Sequence, residues 1–558
     1  MSSQHNNPAK NGAEIVVQTL EAHNVEYIFG IPGAKIDSVF NALVDSKIKT
    51  VVCRHEQNAA FIAGGIGRMT GKAGVALVTS GPGVSNLVTG LATANSEGDP
   101  VVALGGAVAT SQALKQVHQT MDSVSICKPV TKFSAVVGAC PAVSEVIANA
   151  FRAAESGRPG AAFVSLPQDI MMAAAEGGII TPKSFAGPGP ADATAIAEAA
   201  RLINAAENPV VLLGLSASTP ANAKAVRDFI SRNNLPVVGT FQAAGAVAAN
   251  LMSNFGGRVG LMENQPADSL LEAADLVITV GYDPVEYEPL LWNKAADRKI
   301  IHIDVLMADL DAYYSPSVEL TGDVAQNLYA LTPQIERSKK SALTESILQT
   351  IAAERTQLNK QAAQAHGTPI HPLRIVFELQ QMLSSDVTVC LDMGSVHIWL
   401  ARHLYSFKAR QILISNGQQT LGVAMPWAIA ATLVRPGEKV LSISGDGGFL
   451  FTSMELETAV RLKCNFVHMI WIDGTYDMVA IQEVKKYGRK SGIDFGPVDY
   501  VKYAEAFGAT GLMIRTADDI APVLKKAFDT PGPVLVGVHV DYSYNPKLYE
   551  VVHENELI

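Results

Sequence analysis

Short apolar runs recur along this chain, each followed by a turn and then by residues with helical periodicity. Residues 13–24 read as an amphipathic helix, 27–29 as a strand, and Gly30-Ile31-Pro32-Gly33 as a turn. A helix near 36–44, a strand at 50–53, a helix over 57–69 and a strand at 74–79 follow. Ser80-Gly81-Pro82-Gly83 then leads into another helix and the strand 101–104. Apolar strands alternating with helices predict a parallel, doubly wound sheet.

The rhythm is interrupted twice. Residues 181–190 hold three prolines and two glycines and predict a linker. Beyond it, 209–213, 235–238, 276–280 and 299–305 read as the strands of a second block. The polar stretch 336–366 predicts a helical connector, after which the α/β rhythm resumes. The expected fold class is α/β, with three doubly wound parallel-sheet domains at 1–186, 191–345 and 367–558. The first and third blocks resemble each other in rhythm, not in residues.

Two acids in the third block carry the candidate chemistry. Asp446 sits in Ser444-Gly445-Asp446-Gly447-Gly448, after the apolar run 439–443. Asp473 lies 27 residues on, directly after the run 466–472. Between them, 452–464 reads as a helix, with Thr452 and Glu455 at capping-box spacing and Leu456, Ala459, Val460 and Leu462 on one face. A strand–helix–strand unit brings both carboxylates to the same edge of a parallel sheet, where such sheets bind ligands. A lone Gly-Asp-Gly is a common turn; the frame around it gives it meaning. Mg²⁺ wants six oxygens and is held by one or two carboxylates plus phosphate oxygens and water. Asp446, Asp473 and a backbone carbonyl near Thr475 supply three. A diphosphate supplies two more and water the last. Gly447 and Gly448 offer amide N–H groups to the phosphates.

Composition narrows the class. At 558 residues the chain is too long for one core. With 48% hydrophobic and 17% charged residues it reads as well folded, and the low charge leaves surface for an oligomer. A net charge of −10 argues against a general nucleic-acid binder. The five cysteines are scattered and never spaced Cys-x-x-Cys, which fits a reducing cytosol and disfavours disulfides or zinc. No apolar stretch approaches the 18 or so residues of a membrane span, and the start lacks an apolar signal region. The expectation is a cytoplasmic protein with no membrane partner.

Gly445-Asp446-Gly447 followed by Asp473-Gly474 resembles the thiamine diphosphate fingerprint, with Asp replacing the first Asn of the usual Asn-Asn element. Gly30-Ile31-Pro32-Gly33, Arg54-His55-Glu56-Gln57-Asn58-Ala59-Ala60 and Thr79-Ser80-Gly81-Pro82-Gly83 resemble the pyrimidine-binding domain of the acetolactate synthase and pyruvate oxidase group. The resemblance covers essentially the whole chain and points to the catabolic, FAD-independent branch of that group.

It implies roles residue by residue. Glu56 matches the glutamate that contacts the aminopyrimidine ring and favours its imino tautomer; its bland reading is an acid at a helix N-terminus. Gln119 matches a glutamine that reaches the reacting centre. Leu421 takes the position of the apolar wedge that bends the cofactor, and core packing is equally compatible with it. The Gln419 carbonyl is an acceptor for the 4′-amine. Gly394, Ser395 and His397 match a loop near the phosphates, although His397 also fits a structural histidine. Met478 lies against the cofactor, and Val479 and Gln482 line the substrate pocket. Related branched-chain enzymes have Trp where Gln482 stands, so pyruvate is expected as both substrates. They also carry an Arg-Phe-Asp-Asp-Arg stretch where this chain has Gly281-Tyr282-Asp283-Pro284-Val285-Glu286-Tyr287. An acidic loop is a poor partner for an anionic diphosphate, so FAD is not expected. The implied activity joins a decarboxylated pyruvate to a second pyruvate, giving 2-acetolactate and CO₂. Pyruvate oxidase or another thiamine diphosphate-dependent decarboxylase is the alternative. The implied assembly is at least a homodimer, with a homotetramer expected.

Overall fold

The computed structural model describes residues 9–182, 187–336 and 339–549. Among them lie three six-stranded sheets whose named strands all pair in parallel. The first holds β1 (Tyr27–Ile31), β2 (Lys49–Val52), β3 (Gly74–Val78), β4 (Val101–Ala107), β5 (Phe133–Val136) and β6 (Ala161–Pro167). The middle one holds β7 (Pro209–Leu213), β8 (Val237–Thr240), β9 (Phe255–Val259), β10 (Leu276–Val280), β11 (Lys299–Asp304) and β12 (Val318–Thr321). The third holds β13 (Val387–Leu391), β14 (Ile412–Leu413), β15 (Lys439–Gly445), β16 (Val467–Ile472), β17 (Thr510–Ile514) and β18 (Val534–His539). Central strands such as β3, β7, β10 and β13 are buried at every residue, as sheets covered on both faces must be.

The strand orders are β2-β1-β3-β4-β6-β5, β12-β11-β10-β7-β8-β9 and β14-β13-β15-β16-β18-β17. The first and third sheets therefore share one topology, which gives their common rhythm a structural meaning. In each sheet the winding reverses inside the sheet, between β1 and β3, between β7 and β10, and between β13 and β15; in the first and third the chain also doubles back at the far edge, with β5 and β17 outermost. Beyond the carboxyl ends of the strands, these switch points are where open α/β sheets take ligands.

By packing, the chain forms two compact units. Among the described residues, one gathers 9–182 with 425–436 and 452–464; the other gathers 187–336, 339–424, 437–451 and 465–549. Eight helices matter below: α1 (Glu56–Thr70), α2 (Pro82–Glu97), α3 (Ala342–Gln364), α4 (Ser395–His403), α5 (Ala424–Val434), α6 (Asp446–Thr452), α7 (Leu456–Arg461) and α8 (Asp477–Tyr487). The connector helix is α3, started by the Ser341 side chain accepting from the Thr344 N–H. Of the expected linker, 183–186 lie outside the described residues.

Two sequence expectations need correction. The second strand of the middle block begins at Val237, not at residue 235. The preceding helix closes at Asn234 (φ 48°), the Leu235 N–H turns back to the Ile230 carbonyl, and Pro236 has no N–H to give a ladder. More consequentially, 452–464 is not one capped helix. A helix starts at Asp446 itself and ends at Thr452, a 3₁₀ turn spans Ser453–Glu455, and α7 follows. Thr452 makes no side-chain cap bond. Glu455 is turned to other partners.

Candidate cofactor site

In the first unit, Glu56 is the first residue of α1. The His55 ring accepts the Gln57 N–H and so starts the helix. The Glu56 carboxyl is buried and accepts from the Asn86 amide of α2 at 3.0 Å. Its neighbours are set by a second acid. The Arg54 N–H donates to both Glu455 oxygens at 3.1 and 3.2 Å, and the Asn58 amide donates to one at 2.7 Å. Thr458 donates to the other at 2.6 Å. Glu455 thus clamps the turn that presents Glu56, in place of the capping role its spacing suggests.

Gln119 lies on a turn, not a helix. It holds φ 64°, a left-handed conformation that a residue with a side chain adopts only when its surroundings impose it. Its side-chain oxygen accepts from the Ser80 hydroxyl at 3.2 Å. The turn over residues 80–83 lies between the two candidates. A Cβ built on Gly81 would sit 3.2 Å from the Gln119 Cβ, and one on Gly83 would sit 3.7 Å from the Glu56 Oε1.

In the second unit, β15 and β16 pair in parallel with Gly445 level with Trp471. That register puts Asp446 and Asp473 side by side. Asp446 Oδ2 accepts the N–H groups of Asp473 (3.2 Å) and Gly474 (2.7 Å), and Oδ1 accepts that of Gly447 (3.0 Å). Thr475 donates its hydroxyl to Asp473 at 2.5 Å. Burial raises the Asp446 carboxyl above the usual range against these donors. Burial and the charges of Asp446 and Asp477 push Asp473 up to about 7. Two crowded carboxylates at the end of neighbouring strands are what a divalent cation relieves. Each keeps lone pairs free, and Mg²⁺ asks for no more than two carboxylates. Among the described residues there is no larger cluster of His, Cys, Asp and Glu suited to a metal. A Cβ on Gly394 (φ 118°) or Gly474 (φ 76°) would point into open space, whereas one on Gly447 would meet the Tyr476 ring at 2.7 Å and one on Gly448 the Asp392 carboxyl at 3.0 Å. This donor set fits a cation and the phosphates it carries.

Further residues tie the site together through contacts that no periodicity marks. Asp392, at the end of β13, accepts the Met393 and Gly422 N–H groups, each at 2.8 Å, and burial pushes it up to about 7. It joins the loop of Gly394 to the loop of Leu421. Asp477, in the first turn of α8, accepts the Ser395 hydroxyl at 2.6 Å and the Asn545 amide. It joins α4 to α8. Beneath the aspartates, His468 of β16 bridges Ser442 and Ser444 of β15 at 2.7 and 2.8 Å, and burial lowers it to about 3.

The remaining candidates lie in the same unit with less definition. Leu421 is half-buried, and Gln419 is exposed with φ 47°. His397 is fully buried, edge-on to Phe241 at 5.5 Å, with both ring nitrogens lacking a hydrogen-bond partner among the described residues. Met478 is half-buried, while Val479 and Gln482 are exposed, so one chain does not enclose a pocket around them.

Comparisons with known proteins agree with this layout. Residues 10–126 match the N-terminal TPP-binding domain of the thiamine pyrophosphate enzymes, 196–331 their central domain, and 392–538 their C-terminal TPP-binding domain. The chain is 52% identical over 556 residues to a catabolic acetolactate synthase of Raoultella terrigena, covering 100% of this chain and 99% of that one. It is 49% identical over 537 residues to an acetolactate synthase of Bacillus subtilis, covering 96% and 94%. The large subunit of acetolactate synthase isozyme 2 of Escherichia coli is 30% identical over 541 residues, covering 95% and 96%. The chain belongs to the thiamine pyrophosphate enzymes and, within them, to the acetolactate synthases.

Proposed function

We propose that the chain condenses two pyruvates into 2-acetolactate and CO₂, with thiamine diphosphate and Mg²⁺ and without FAD. The observation that carries this reading is the aspartate pair at the switch point of the third sheet. Asp446, Asp473 and the Thr475 carbonyl hold the cation. Gly394, Ser395, Gly447 and Gly448 approach the diphosphate it carries, and His397 stands behind that loop. Leu421 and Met478 brace the cofactor, and the Gln419 carbonyl faces its amine. When bound, thiamine diphosphate supplies a nucleophilic carbon and an electron sink for loss of CO₂.

The chain's own groups do the rest. Glu56 holds a proton against the pyrimidine nitrogen, with Asn86 fixing the angle of its carboxyl. Gln119, pinned by Ser80, reaches the reacting keto acid. Val479 and Gln482 shape the place of the second pyruvate. Water must be kept out, because protonation of the two-carbon unit would release acetaldehyde instead. A second copy of the chain provides that closure: Glu56 of one protomer serves the aspartates of its partner, so a homodimer is the minimum and a homotetramer the expected form. Exposed Phe451, Val479, Val484 and Tyr487 are apolar surface for such a partner to cover. The sheets correspond to a pyrimidine-binding domain (1–186), a central domain (191–345) and a diphosphate-binding domain (367–558). Five buried free thiols suit the cytoplasm, and no described helix is long and apolar enough to cross a membrane.

The test is purified protein given pyruvate, Mg²⁺ and thiamine diphosphate, with and without FAD. Acetolactate in both is expected. Acetyl phosphate with peroxide, or acetaldehyde, would assign the chain to an oxidase or a decarboxylase. Glu56→Gln is expected to slow turnover and exchange of the thiamine C2 proton by about 10²–10⁴-fold. Near wild-type exchange would remove Glu56 from its role.

A further inference from the structure

Counted from its own first strand, the middle sheet has the order 3-2-1-4-5-6, that of dinucleotide-binding folds. In such sheets the phosphates lie beyond the carboxyl ends of the first and fourth strands, here β7 and β10. In this protein the chain fills that crevice itself. After β10, residues 281–286 fold back, and the Glu286 carboxyl reaches the ends of β7 and β8. Its two oxygens accept the Leu215 N–H at 3.0 and 2.9 Å, and one accepts the Asp283 N–H at 3.2 Å. The Thr240 hydroxyl, closing β8, donates at 2.6 Å. Backbone N–H groups after a first strand and a hydroxyl beside them are donors a phosphate would use.

Glu286 is 3% exposed. A Cβ on Gly214 would lie 2.4 Å from the Gly281 carbonyl oxygen and 2.7 Å from Glu286 Oε1. One on Gly281 would lie 2.5 Å from the Ala217 nitrogen. A flavin or nicotinamide dinucleotide does not fit there.

We infer that Glu286 is a built-in substitute for a cofactor phosphate: its carboxyl occupies the anion cradle of the middle sheet and thereby determines that this domain takes no dinucleotide. The acidic loop thus acts by occupying the site rather than by repelling a ligand from it. The choice of group makes chemical sense. Burial pushes Glu286 up to about 8, so near neutral pH it sheds its charge by holding a proton. A diphosphate has no such option and would need the cations this loop lacks. The inference rests on the FAD-free part of the reading above and on no step of the reaction.

Wild type and two variants, Glu286→Gln and Glu286→Ala, test it. All are held with saturating thiamine diphosphate and Mg²⁺, so that the third sheet offers phosphate no site. Thermal melting is followed with inorganic phosphate and with chloride at equal ionic strength. Wild type and Glu286→Gln are expected to respond equally to the two salts. Glu286→Ala is expected to melt lower and to be raised by phosphate specifically, because Leu215, Asp283 and Thr240 are then open to it. A folded Glu286→Ala that ignores phosphate, or a wild type equally raised by it, overturns the inference while leaving the FAD-free reading in place. Titration of wild type with FAD is the second measurement and needs no variant. No binding is expected, and stoichiometric flavin would overturn both.

Discussion

The middle and third sheets lie in one unit, are both parallel and doubly wound, and end differently at their switch points. At the middle sheet a single carboxyl is surrounded by three protein groups that donate to it, and the glycines beside it touch backbone. At the third sheet two carboxylates crowd each other, and Gly445 and Gly474 beside them face open space, while Gly447 and Gly448 back onto the Tyr476 ring and the Asp392 carboxyl. The first edge is complete as folded. The second is left with a like-charge cost that a proton or a cation must relieve. Topology alone therefore says where a ligand can bind, not whether one does. The electrostatic balance at the edge decides.

The largest effect expected from breaking this contrast is at Asp473. Its carboxyl is held by the Thr475 hydroxyl and lies against Asp446, contacts an amide can keep, so Asp473→Asn loses little of the fold. Removing one of two like charges should raise the melting temperature of the cofactor-free protein. The same change should weaken Mg²⁺-dependent retention of thiamine diphosphate by about a hundredfold or more, and turnover with it. Melting curves with and without Mg²⁺ and cofactor read both signs at once. An Asp473→Asn protein that still gains stability from Mg²⁺ as wild type does would mean that the pair is not the cation site.

The two edges were not equally legible in the chain. Asp446 and Asp473 could be read because each lies within three residues of the end of an apolar run, and parallel strands carry their ends to one place. The partners that make the site work are far apart in sequence: Glu56 with Asn86, Asp392 with Gly422, Asp477 with Ser395. No periodicity encodes such contacts. Glu455 shows how a local rule misleads. Thr452 and Glu455 have capping-box spacing, but the helix begins earlier, at Asp446, and the Glu455 carboxyl serves Arg54 and Asn58 about 400 residues away. At the middle edge, the composition of the 281–287 loop suggested repulsion of an anion; only the fold shows the loop's own acid accepting from Leu215, Asp283 and Thr240 at that edge.

A smaller effect separates the edges by pH. Glu286 has its carboxyl raised from 4.5 to about 8, so the native state binds that proton more tightly than the unfolded chain. Its stability contribution is complete below 4.5 and is lost as pH rises towards 8. Glu286→Gln carries no such group, so its melting temperature relative to wild type should climb through that window and then level off. Asp473, raised from 3.8 to about 7, loses stability with the same sign in the cofactor-free protein. There Mg²⁺ should abolish the dependence, since a bound cation fixes the ionised form, and Mg²⁺ affinity should fall as pH drops below about 7. Melting profiles against pH, each with and without Mg²⁺ and thiamine diphosphate, check this. A Glu286 profile that responds to the cofactor would join two edges that are here held to be independent.

The smallest effect concerns selectivity, which only an open edge can have. The helix α8 leaves the third edge directly after the aspartates, and Val479 and Gln482 stand three residues apart on it, both exposed. That spacing puts them on one face, the face proposed above to shape the place of the second keto acid. An extra methylene in such a pocket is worth only about 1–3 kcal/mol. Gln482→Trp should therefore shift the preference between 2-ketobutyrate and pyruvate as second substrate by about tenfold, and stability by less than about 0.5 kcal/mol. Both keto acids supplied together, with the two products counted, give the ratio directly. If that ratio stays at the wild-type value while the protein remains folded and active, Gln482 does not face the acceptor, and the substrate must be bounded by another wall of the open edge.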